Sequence, residues 1–173
     1  MLRACLFLLA CLLALPATAE VRTDRVTARL VSDAAVVAPG DTVRLGLHLD
    51  IIEGWHTYWR NPGDSGAATS VDLTLPDGVS VGPIRWPHPQ ALPYGPLVNY
   101  GYEDEVLHLA DLEVPADWPA GVPLTVEAEA FWLVCADLCI PESGTLTLSL
   151  PTGPATVDDP ASGPLFERFA AQV

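Results

Sequence analysis

Strict alternation of apolar and polar residues in nearly every segment, turn clusters between the alternating runs, and a helical pattern confined to the tail predict the fold class. It is all-β: an immunoglobulin-like β-sandwich with a short C-terminal helical tail. The run VRLGLHLDI places Val43, Leu45, Leu47, Leu49 and Ile51 on one face, and SVDLTL does the same with Val71, Leu73 and Leu75. VLHLADL, PLTVEAEA and TLTLSL repeat the pattern. Side chains on a strand point to opposite faces in turn, so such runs are half-buried strands. Between them lie Pro39-Gly40-Asp41, Asn61-Pro62-Gly63-Asp64, Pro76-Asp77-Gly78 and Pro119-Ala120-Gly121, part of a stock of 17 prolines and 13 glycines. These are turn formers. Near the end Ser162 is placed to cap a short helix, with Pro164 in its first turn and Phe166 and Phe169 beyond.

The first 19 residues have the layout of a secretory signal peptide: Arg3, an apolar run from Leu6 to Leu15, and Ala17-Thr18-Ala19 before the cleavage point. The run is too short for a membrane span. It also continues past Cys11, which argues against a lipoprotein site there. Cys5 and Cys11 leave with the leader, so the exported chain keeps only Cys135 and Cys139 in an oxidising compartment. The expected organisation is a leader at 1–19, one domain at 20–151, and a linker with a short helix at 152–173 that could lead to a membrane part. The whole chain carries a formal charge of −14 and no lysine. Loss of the leader removes Arg3 and no acid, so the remainder is more acidic still. Such a surface suits neither nucleic acid nor anionic lipid.

FWLVCADLCIP holds the remaining pair. If Cys135 and Cys139 face each other across a hairpin with Ala136-Asp137-Leu138 as its loop, the register follows. Glu129 meets Thr145, Glu127 meets Thr147 and Thr125 meets Ser149. On the other face Ala128 meets Leu146, Val126 meets Leu148 and Leu124 meets Leu150. Polar falls on polar and apolar on apolar, as a one-sided core demands. Both cysteines are expected on the odd-numbered, solvent-side face, close enough to bond. Leu138 fits this loop poorly, because three-residue hairpin loops favour a left-handed third residue.

Three readings of the pair stay open. A ring of about five residues adds only about 2 kcal/mol on the chain-entropy estimate, which makes a weak staple and favours redox exchange. A metal clamp would need more ligands: the exported chain lacks Met, and His48, His56, His88 and His108 sit in separate segments. No metal or other cofactor is expected.

EGWHTYWRNPGDSG, PIRWPHP, NYGYEDEVLHLADLEVP and FWLVCADLCIPESG occur in this order. Together they resemble the N-terminal periplasmic domain of the thiol:disulfide interchange protein DsbD, most of all its ScsB (suppressor of copper sensitivity) branch. The likeness runs from about Asp24 to Leu150. It implies an immunoglobulin-like domain whose Cys135 and Cys139 exchange electrons, as a protein-disulfide reductase within a relay. The donor would be a membrane domain or protein. The acceptors would be periplasmic thiol-disulfide proteins, such as disulfide isomerases and cytochrome c maturation factors. Asn99-Tyr100-Gly101-Tyr102 occupies the place of the family's aromatic cap loop. His56 and Tyr58 occupy that of two tyrosines flanking the disulfide. Two apart, they share a strand face, with Trp55, Thr57 and Trp59 on the other. NPGDSG reads as a plain turn.

The expected chemistry is a dithiol relay in which one cysteine attacks a partner's disulfide and the other resolves the mixed disulfide. Asp137, Glu142 and the acidic stretch Glu103 to Glu105 are expected to favour the neutral thiol. Without a Cys-x-x-Cys motif, a thioredoxin-like pattern or a membrane span, the domain needs an outside source of electrons. The alternatives are a binding module with an inert disulfide and a Cu(I)-holding domain.

Overall fold

The alternating runs become strands in a computed structural model that describes residues 20–119 and 121–173; the predicted leader lies outside them. In chain order, β1 is Glu20–Arg22, β2 Val26–Ser32, β3 Ala34–Val36 and β4 Thr42–Ile51. β5 is His56–Gly63, β6 Ser70–Thr74, β7 Ser80–Val81, β8 Gln90–Tyr94 and β9 Leu97–Glu103. β10 is Glu105–Glu113, β11 Leu124–Cys135, β12 Cys139–Leu150 and β13 Val157–Asp158, and α1 follows at Gly163–Ala170.

One sheet runs β1-β2-β4-β10-β7, and the other runs β12-β11-β5-β9-β8. β11 is flanked by β12 on one edge. Its other edge is shared: β6 pairs with Phe131 back to Glu127, and β5 meets it only where His56 faces Cys135. The core lies between the sheets. Leu45, Leu47 and Leu49 of β4 face Leu124, Val126, Ala128 and Trp132 of β11, all buried. Each such large apolar side chain contributes about 1.5–3 kcal/mol relative to exposure. The β11–β12 register is the predicted one, from Leu124 opposite Leu150 to Cys135 opposite Cys139.

The tail is fixed to the domain along its length. β13 pairs with β3, and α1 lays Phe166 and Phe169 on Leu107 and Leu109. This covers the outer face of β4 and β10, where alternation alone would leave solvent. Gly46 is required there, because a Cβ would sit 2.5 Å from Leu107 Cδ1 and 3.3 Å from the Phe166 ring. Ion pairs reinforce the contact: Arg44 with Glu167 at 2.8 Å and Arg168 with Glu105 at 2.9 Å. Ser162 holds the N-cap position but makes no side-chain cap. Its hydroxyl instead reaches the Ser32 carbonyl and the Asp159 carboxylate, tying the helix start to β2.

Candidate active site

The hairpin ends in a disulfide. Cys135 closes β11 and Cys139 opens β12, with sulfurs 2.06 Å and Cα atoms 4.1 Å apart. The loop closes through a 3.1 Å hydrogen bond from Ala136 N–H to the Leu138 carbonyl. Leu138 is not left-handed; among the described residues Asp104 is the non-glycine residue with positive φ. The loop therefore has a different shape from the three-residue turn expected.

The two cysteines differ in exposure, against the expectation that both would face solvent. Cys135 is 1% exposed, whereas Cys139 is an exposed residue. The cause is the sheet order. At the tip β11 is an interior strand with β5 alongside, and β12 is an edge strand with no hydrogen-bonded neighbour beyond it among the described residues.

His56 and Tyr58 point from β5 toward the pair, as period two requires. Tyr58, 2% exposed, places its hydroxyl 3.7 Å from Cys139 Sγ and 3.3 Å from His56 Nε2. Burial raises the Tyr58 pKa. Burial also lowers that of His56, with Glu103 across the strand pair opposing it. Trp55 and Trp59, on the other face, pack against the core.

Asn99-Tyr100-Gly101-Tyr102 is part of strand β9 and pairs with β5 and β8, so it is not a loop. Its residues separate by parity. Asn99 lines the pocket over the disulfide, and its Oδ1 accepts bonds from Ser65 N–H at 2.9 Å and the Ser65 hydroxyl at 3.0 Å. Gly101 lets β9 lie flush on β5, since a Cβ would fall 2.0 Å from the Thr57 carbonyl. Tyr100 is half-exposed and does not line the pocket. Tyr102 is buried, donates to the Pro87 carbonyl at 2.8 Å, and meets the His108 ring edge-on.

NPGDSG is more than a turn. Gly66 lies against the Tyr58 ring so closely that a Cβ would come within 2.2 Å of it, at a φ of 95° that suits glycine. The pocket, about 140 Å³, is completed by Tyr94 from the β8–β9 hairpin and by Asp137 and Leu138. Ser65, Gly66, Tyr94 and Leu138 were not singled out as site residues from the sequence. Tyr94-Gly95-Pro96 between two short apolar runs is a hairpin signal that could have suggested the first aromatic.

Two of the acids expected to act on the thiols are engaged by other groups. Glu142 has even parity and so faces away from the cysteines. Its carboxylate takes bonds from Trp132 Nε1 at 3.1 Å and the Thr23 hydroxyl, with Arg25 at 3.7 Å. Glu105 is engaged by His48 and Arg168. Asp137 and Glu103 remain at the site. Of the histidines, His48, His88 and His108 lie elsewhere, held by Glu105, by the Gln172 carbonyl and by the Trp86 and Tyr102 rings respectively.

A family model described as "Thiol:disulfide interchange protein DsbD, N-terminal" matches residues 27–151. Among solved structures, the N-terminal periplasmic domain of ScsB from Proteus mirabilis is similar over 90% of this chain, with a TM-score of 0.64 and 22% identity. This chain spans 58% of that one. The N-terminal domain of Neisseria meningitidis DsbD in its reduced form aligns over 75% of this chain and 89% of its own, at 16% identity and a TM-score of 0.37. At such identities the ScsB likeness shows the fold. No curated protein matches the chain. No helix among the described residues is long and apolar enough to cross a membrane.

Proposed function

The chain belongs to the family of DsbD N-terminal domains, and from that premise we propose that it is a periplasmic electron relay working through Cys135 and Cys139. Its donor is a membrane reductase, and its acceptors are oxidised thiol-disulfide proteins of the periplasm. The observation that carries this reading is the division of the pair into one exposed and one buried cysteine beside a pocket.

In the reduced state the exposed Cys139 thiolate attacks one sulfur of the partner's disulfide. A mixed disulfide forms and the partner's other sulfur leaves as a thiolate. Cys135 then attacks Cys139, closing the internal disulfide and releasing the second partner thiolate. Two electrons and two protons pass from the dithiol to the partner. A membrane donor reverses these steps by attacking Cys139, the sulfur it can reach. The same division suits exchange better than stapling, since the short ring stabilises the fold by only about 2 kcal/mol.

A redox titration of the domain with thiol counting tests the reading. The expected result is a reversible two-electron equilibrium above roughly −300 mV, in the range of exchanging pairs. A pair that resists reduction below that potential is a staple, and the proposal falls.

A further inference from the structure

We propose that His56 is a positioning residue that takes the Cys139 thiol proton through the Tyr58 hydroxyl, so that the attacking thiolate forms as a partner of an imidazolium. The inference rests on the relay reading and adds to it the regulation of its nucleophile.

The three groups form a chain of contacts: His56 Nε2 is 3.3 Å from the Tyr58 hydroxyl, which is 3.7 Å from Cys139 Sγ. Both contacts are at the long end of their range with the sulfur in a neutral disulfide. A thiolate is a stronger acceptor and draws such bonds in. Tyr58 has little freedom to turn elsewhere. It is buried, Gly66 abuts its ring, and the Asn99–Ser65 bonds hold the neighbouring segment in place. A hydroxyl both accepts and donates, so it can pass a proton without ending charged. Histidine is the side chain whose unperturbed proton affinity falls in the neutral range.

The step balances. The Cys139 S–H proton moves to the Tyr58 oxygen as the Tyr58 proton moves to His56 Nε2, leaving a thiolate, an unchanged phenol and an imidazolium. The thiolate attacks the partner's disulfide, and the thiolate expelled from the partner is protonated from the imidazolium. The groups facing His56 set its balance. Burial disfavours the imidazolium, Glu103 opposite it on β9 favours it, and Asp137 at the loop is a carboxylate in the pocket lining. Tyr94 and the two cysteines, joined in a disulfide when oxidised, complete the lining.

The test is the pH dependence of Cys139 alkylation by iodoacetamide in the reduced chain, with the labelled residue identified by mass spectrometry. If the imidazolium outweighs the repulsion from Asp137 and Glu103, wild type should show thiolate formation well below the roughly 8.5 of a free thiol. His56→Gln, which keeps a hydrogen-bonding partner for Tyr58, should lose the low-pH limb and react about tenfold more slowly at pH 7. Tyr58→Phe should lose it as well. Circular dichroism and a denaturant midpoint check that both variants fold. A wild-type profile in His56→Gln overturns the inference, as does one in Tyr58→Phe. Loss of the limb in Asp137→Asn alone would make Asp137 the base, which also overturns it. Thiol counting on wild type separates the two proposals. If its disulfide does not open reversibly, the relay reading fails. If it does and the profiles coincide, only the histidine's role fails.

Discussion

The two ends of the β11–β12 hairpin share one register and have opposite characters. At the base, Leu124 opposes Leu150 and Ala128 opposes Leu146, all buried beneath the facing sheet. At the tip, Cys135 is buried alongside β5 while Cys139 stands on the sheet's edge beside exposed Leu138. Period-two pairing fixes which residues meet, but neighbours on either side decide which of the two can be reached. A site made this way is held rigidly from behind and open from one side.

Breaking the base should cost stability and spare the chemistry. Leu146→Ala should lower unfolding free energy by about 2–5 kcal/mol, as buried leucine truncations do, with the redox potential of the folded domain unchanged. Denaturant melts and a titration of the pair measure the two separately.

The core should also respond to acid, and more strongly than the tip, where burial lowers the His56 pKa against the opposing charge of Glu103. Burial holds the His108 pKa down to about 3, and neither ring nitrogen has a hydrogen-bond partner. The unfolded chain takes up a proton near pH 6.5 that the folded one refuses. Stability should therefore fall by roughly 1.4 kcal/mol per pH unit as pH drops from about 6.5 toward 3. His108→Leu should lose that contribution and keep the smaller ones of His48 and His56, whose pKa values burial also lowers, read from melts across pH.

Changes at the tip should be smaller in stability. Reducing the disulfide should cost about 2 kcal/mol, the value for so short a ring, and leave the fold intact. Leu138→Ser, at a residue 58% exposed, should change stability by no more than about 0.5 kcal/mol. It should nevertheless slow exchange with a protein disulfide more than with a small one, a comparison of two rates.

Much of this was legible in the sequence, for local reasons. The hairpin register could be read because alternation and polar pairing constrain it together. The shared face of His56 and Tyr58 followed from spacing. Parity also placed Glu142 away from the cysteines, a signal present in the register and passed over. What could not be read depended on contacts distant in the chain. The burial of Cys135 needs β5 to reach β11 at one residue pair. The role of Gly66 needs Tyr58 folded back onto it. The tail read as a linker because the surface that holds it, around Gly46, Leu107 and Leu109, looks like the outer face of ordinary strands until α1 arrives.

The central claim is that the two sulfurs are unequal and that Cys139 does the trading. The direct measurement is the rate at which reduced Cys135→Ser and Cys139→Ser variants form mixed disulfides with an aromatic disulfide reagent. The variant that keeps Cys139 should react at least about tenfold faster, by the accessibility that governs thiol exchange. Equal rates, or faster reaction at Cys135, would contradict the account.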